Sequence, residues 1–182
     1  MGSSVNALAP WMQAGRAPLK DNDYGALFNA NVTQIDSETP VASINGIAHI
    51  QLTVSDMETS VPFYRTLLTS LEMEVLIDRD DYFYCIGGRT GIAIAPSSAG
   101  SSGMPFDQNS NGLHHFSFRA RSNEDVDAIY KTALSLGAKI IRAPRMDNWA
   151  PGYYSVLFED PDGIRIEANF VPGKGHLKQE NA

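Results

Sequence analysis

The feature that most constrains this chain is a repeat within it. Gly46-Ile-Ala-His-Ile-Gln-Leu-Thr-Val54 aligns without a gap on Gly112-Leu-His-His-Phe-Ser-Phe-Arg-Ala120. The same offset pairs Glu58 with Glu124, Tyr64 with Tyr130, Thr66 with Thr132 and Leu68 with Leu134. After a slip of one residue Leu71-Glu-Met-Glu74 matches Leu136-Gly-Ala-Lys139; past a longer loop in the second half, Gly91-Ile-Ala-Ile94 matches Gly163-Ile-Arg-Ile166. A duplicated unit decides the architecture before any single motif is weighed. With 182 residues there is room for two small fused modules but not for two large domains.

Each half has the same plan of one strand, one helix and three strands. In the first strand Ile50, Leu52 and Val54 alternate with His49, Gln51 and Thr53, as a strand buried on one face requires. His115, Ser117 and Arg119 repeat the polar face. The segments 55–71 and 122–136 are expected to be helices. Ser55-Asp-Met-Glu58 fits a capping box, Val126, Ile129, Tyr130, Ala133 and Leu134 recur at helical spacing, and Gly137 suits a helix end. Strands are then expected near 74–77, 82–86 and 91–95, and near 139–143, 154–158 and 164–170. Asp160-Pro-Asp-Gly163 supplies the tight turn before the last of them. The expected organisation is an irregular extension over 1–44, a first βαβββ module over 45–96, a Ser, Gly and Asn-rich linker over 97–111, a second module over 112–172 and a tail over 173–182. Trp11, Met12, Leu27 and Phe28 are candidate anchors for the extension.

Helices on the apolar faces leave the polar faces of two small sheets to enclose a cup. His49 and His115 hold equivalent places on those faces. In the last strand Ile164, Ile166 and Ala168 face the helix, which turns Arg165, Glu167 and Asn169 toward the cup. Two imidazoles and a carboxylate suit one divalent transition metal with open positions, whether iron, manganese, cobalt, nickel or zinc. Arg119 and Arg165 are placed to bind a carboxylate or phosphonate, or alternatively to pair with Glu167 or another acid. Gln51, Ser117 and Asn169 are placed to orient a substrate. Trp149, Tyr153 and Tyr154 flank Pro151 and Gly152 as a lid or as packing, and Tyr154 joins the expected substrate-binding set.

Gly-Ile-Ala-His49-Ile-Gln-Leu-Thr-Val, Phe63-Tyr64-Arg65, Gly-Leu-His-His115-Phe-Ser-Phe and Asp160-Pro-Asp-Gly-Ile-Arg-Ile-Glu167 together resemble the signature segments of the glyoxalase, bleomycin-resistance and extradiol-dioxygenase superfamily. The resemblance runs from residue 45 to about 172. It implies an α+β fold of tandem βαβββ modules forming a curved mixed sheet around a metal-binding cup, with His49, His115 and Glu167 as ligands. Many isomerases of the superfamily have a second Glu or Gln in the first module; the internal alignment puts Ala95 there, which argues against two opposed carboxylates. The leading expectation is a metal-dependent lyase, isomerase or dioxygenase acting on a small oxygenated molecule. The alternatives are a metal-free drug- or metabolite-binding protein of the bleomycin-resistance type and a fosfomycin-type thiol transferase.

The remaining features are bland. A net charge of -7 without a basic stripe gives no reason to bind nucleic acid. No apolar run is long enough to span a bilayer and no leader pattern opens the chain, so the expected compartment is the cytoplasm. Cys85 reads as a buried, inert thiol, His114 as a structural residue on the apolar face, and His176 as solvated. Modules of this kind pair within one chain or by exchange between two, and a homodimer is expected.

Overall fold

The computed structural model describes residues 43–44, 46–98 and 106–173. The candidate anchors in the extension, the middle of the linker and His176 lie outside the described residues. The first module consists of β1 (His49–Val54), α1 (Met57–Ser70), β2 (Glu74–Arg79), β3 (Tyr82–Gly87) and β4 (Thr90–Pro96). The second consists of β5 (Phe116–Arg119), α2 (Asn123–Ser135), β6 (Lys139–Asp147), β7 (Tyr153–Glu159) and β8 (Arg165–Phe170). The sheets are ordered β1-β4-β3-β2 and β5-β8-β7-β6. In each, the first strand runs parallel to the last and the other pairings are antiparallel. This is the α+β arrangement of two βαβββ modules that the repeat demands.

Alternation builds both cores. Leu52 and Val54 of β1, Phe83 and Cys85 of β3 and Ile92 and Ile94 of β4 are buried with Phe63, Tyr64, Leu67 and Leu68 of α1. Phe116, Val156, Phe158, Ile166 and Ala168 are buried with Val126, Ile129 and Ala133 of α2. Burial pushes the Cys85 thiol up from its ordinary value, which keeps it protonated and inert.

The helix ends show what the local sequence does and does not specify. Ser122 caps α2 and accepts from the Asp125 N–H at 3.1 Å. For α1 the cap is Asp56, which accepts from Glu58 N, and not Ser55. The Ser55 N–H is directed instead to Asp162 Oδ2 at 3.1 Å, a contact across 107 positions. Both helices end in a left-handed residue, Gly137 at φ 71° and Glu72 at φ 61°.

The modules meet through their helices and the Asp160–Gly163 turn. α1 packs on α2, the Tyr64 hydroxyl donates to Asp160 Oδ2 at 2.6 Å, and Ser60 Oγ lies 3.3 Å from Asp162 Oδ2. Asp160 Oδ1 also accepts from the N–H groups of Asp162 and Ile164. Burial raises the Asp160 carboxyl to about 6, against the lowering effect of the Tyr64 hydroxyl and the Ile164 N–H. Among the described residues no strand of one module forms a ladder with a strand of the other, so β1 and β5 are each a sheet edge. No described helix is long and apolar enough to cross a membrane.

Candidate metal centre

The ladder registers fix which side chains share the polar face of the second sheet. Ser117 pairs with Glu167, Arg119 with Asn169, Leu157 with Glu167 and Ser155 with Asn169. Glu167 is buried there at 6% exposure, and a carboxylate so placed needs partners. Its Oε1 accepts from the Tyr153 hydroxyl at 2.7 Å and from Arg142 at 3.3 Å. Its Oε2 lies 3.1 Å from His115 Nε2, at the residue immediately before β5. One oxygen is thus held by the protein and the other is directed at an imidazole nitrogen.

This pair fits a metal. Two donors bonded in neighbouring positions to one ion at about 2.1 Å stand about 3 Å apart, so His115 and Glu167 need no rearrangement to share one. The Tyr153 and Arg142 contacts are of the kind that would fix the carboxylate if it held a metal. His115 Nδ1 is 2.7 Å from His114 Nδ1, and the rings meet edge to face with centroids 4.9 Å apart. His114 is therefore exposed beside His115, not packed on the apolar face. Burial first, and then the Glu167 carboxylate, pushes the Tyr153 hydroxyl far above its ordinary value, so it stays a donor.

Arg142 links Glu167 to a wider network. It donates to Ser155 Oγ at 2.7 Å and pairs with Asp147 Oδ2 at 2.8 Å, and Arg145 reaches the other oxygen of Asp147 at 3.3 Å. Arg165 pairs with Glu159 at 3.3 Å, shared with Lys139 at 2.9 Å, so Arg165 is engaged by a neighbouring acid. Asn169 Nδ2 donates to Ser117 Oγ at 2.7 Å, and Arg119 is exposed next to them.

Tyr154 does not join this face. Its parity in β7 is that of Val156 and Phe158, and its hydroxyl donates to Asp127 of α2 at 2.9 Å. Tyr153 occupies the place that the sequence reading gave to Tyr154. Alternation along β7 carries that signal, because Tyr153, Ser155 and Leu157 share the face of Glu167. Arg142 was also missed; register shifts on both sides of it make its direction unreadable from period-2 alternation.

The polar face of the first sheet carries His49, Gln51 and Thr53, all exposed. They pair with Gly91, Ala93 and Ala95 of β4. Gln51 opposite Ala93 is the counterpart of Ser117 opposite Glu167, so the position equivalent to Glu167 is Ala93, two residues from the Ala95 of the sequence alignment. A two-residue slip keeps the face, and both positions are alanine. The Tyr84 ring covers Gly91, where a Cβ would run into its hydroxyl end. Among the described residues no three His, Cys, Asp or Glu side chains gather at one point: His115 and Glu167 come together, and His49 stands apart from them.

Comparison with known proteins agrees with this architecture. The chain is 25% identical over 127 residues to the metallothiol transferase FosB of Shouchella clausii, covering 69% of this chain and 80% of that protein. A glyoxylase/bleomycin resistance protein/dioxygenase domain from Frankia sp. superposes with a TM-score of 0.60 at 27% identity, over 74% of this chain and 96% of that one. A putative glyoxalase from Bacillus halodurans has the same fold, with a TM-score of 0.61 at 24% identity over 70% and 96% of the two chains. Residues 46–168 match the model of the Glyoxalase/Bleomycin resistance protein/Dioxygenase superfamily, and the chain belongs to that family.

Proposed function

We propose that the protein is a metalloenzyme acting on a small oxygenated substrate, with one divalent transition metal held by His115 and Glu167 of one protomer and His49 of a second copy. The observation that carries this is the 3.1 Å approach of His115 Nε2 to Glu167 Oε2 on an open polar face. Three features of the fold support an exchange between copies. The helices and the Asp160 turn occupy the junction between the modules, His49, Gln51 and His115 are exposed, and among the described residues β1 and β5 are both sheet edges. Facing a second copy, His49 would supply the imidazole that the protomer's own pair lacks.

Such a metal supplies Lewis-acid polarisation of a chelating oxygen. The chain's own residues do the rest. Tyr153 and Arg142 fix the Glu167 carboxylate, Ser117 and Asn169 form a hydrogen-bonded rail beside it, and Gln51 lines the opposing face. The reaction classes compatible with one carboxylate and two imidazoles are lyase, isomerase and dioxygenase chemistry. A second reading, thiol transfer to a substrate at the same centre, is favoured by the similarity to the metallothiol transferase. The test is the metal content of protein purified without chelators. About one transition metal per chain is expected, lost in both His49→Ala and Glu167→Ala. Metal-free protein that cannot be reconstituted would overturn the reading and leave a binding protein as the function.

A further inference from the structure

We infer that the substrate of this centre is an organic anion whose charged end is anchored by Arg119. The inference rests on the metal reading and adds the class of substrate. On the polar face of the second sheet the other cations are matched by acids, Lys139 and Arg165 by Glu159, and Arg142 and Arg145 by Asp147. Arg119 is exposed and, among the described residues, has no carboxylate within ion-pair distance. Glu167 does not compensate for it, since a carboxylate on a metal has its charge already engaged. The face therefore carries a positive excess in a chain whose net charge is -7. A local field of that sign concentrates anions.

The position of Arg119 adds a distance. Its ladder partner Asn169 donates to Ser117, and Ser117 is the ladder partner of Glu167. A continuous polar row thus links Arg119 to Glu167, whose places in the ladder are two residues or about 7 Å apart along the strands. Closing this face against another protein surface would remove water from a fork of N–H donors, which is costly unless an anion takes its place. A carboxylate or phosphonate accepts two parallel bonds from such a fork. The substrate then has metal-binding oxygens at one end and an acidic group several bonds away.

Two probes that share a chelating group and differ in charge test this. Acetohydroxamate and succinomonohydroxamate would be titrated into Co²⁺-loaded protein, with the visible spectrum of the metal and calorimetry as readouts. The carboxylate-bearing probe is expected to bind about ten-fold or more tightly in the wild type. In Arg119→Met that preference disappears while cobalt content, melting temperature and acetohydroxamate affinity are unchanged, and Arg119→Lys keeps part of it. Equal affinities in the wild type, or a preference that survives in Arg119→Met, would overturn the inference and leave the metal reading intact. Failure of the cobalt-loaded wild type to bind acetohydroxamate would count against the metal reading itself, and the inference would fall with it.

Discussion

The polar faces of the two sheets occupy the same place in the repeat, yet one sets its histidine opposite small residues and the other sets its histidine against a carboxylate network. Opposite His49, Gln51 and Thr53 the first module places Gly91, Ala93 and Ala95. Opposite Ser117 and Arg119 the second places Glu167 and Asn169, tied into Tyr153, Arg142, Ser155 and Asp147. The cores behind the faces are built alike. The difference shows that the repeat sets the frame while a few positions on each polar face set its character: small residues beneath the Tyr84 ring beside His49 in one module, a buried carboxylate beside His115 and the groups that fix it in the other.

The largest effect that separates the modules involves the turn before the last strand. Among the described residues only the second module's turn is hydrogen-bonded to the other module's helix, through Asp160 and Tyr64. The folded Asp160 carboxyl, raised to about 6 from its ordinary 3.8, binds a proton more tightly than in the unfolded chain. Its contribution to stability is therefore full below about pH 4, falls as pH rises to about 6 and is flat above that, a change on the order of 3 kcal/mol. Asp160→Asn keeps an oxygen for the Asp162 and Ile164 N–H groups and removes the titration. Urea unfolding of the two proteins from pH 4 to 7 should show the slope in the wild type and its loss in the variant.

Next is the support of Glu167. Tyr153→Phe deletes the 2.7 Å bond to Oε1 and should weaken metal affinity about 10- to 100-fold, read by competition with a chelating dye. Tyr154→Phe, whose hydroxyl faces Asp127, should leave that affinity unchanged. Gly91→Ala tests how closely the Tyr84 ring covers the first face, because the added methyl meets that ring. A loss of about 1–3 kcal/mol is expected, and in combination with Tyr84→Ala the two changes should cost less than their sum. The smallest effect is at the helix ends. Glu72→Gly gives α1 the left-handed glycine that α2 already has in Gly137, and should stabilise by about 1 kcal/mol, visible as a rise of a few degrees in melting temperature.

Much of this was legible in the sequence, because period-2 alternation and an internal repeat are local properties. They located the modules and the helices and put His49, His115 and Glu167 on polar faces. The failures have physical causes. Asp56 caps α1 in place of Ser55 because Ser55 answers Asp162, a contact between modules that no local pattern records. Arg142 escaped notice because the irregular ladder of β6 breaks alternation on both sides of it. Tyr153 was within reach, since parity along β7 separates it from Tyr154. Where His49 stands relative to His115 and Glu167 was beyond reach, because alternation assigns a face and says nothing about how two sheets are set against each other.

Complementation between chains measures directly where His49 stands relative to His115 and Glu167. If each metal takes His49 from one copy and His115 with Glu167 from the other, a heterodimer of His49→Ala and Glu167→Ala chains, isolated through two different tags, contains one intact site and one doubly broken site. The account predicts about one tightly bound metal per heterodimer while both parent homodimers bind none. A heterodimer as empty as its parents, with the wild type loaded, would contradict it and place all three donors within one chain.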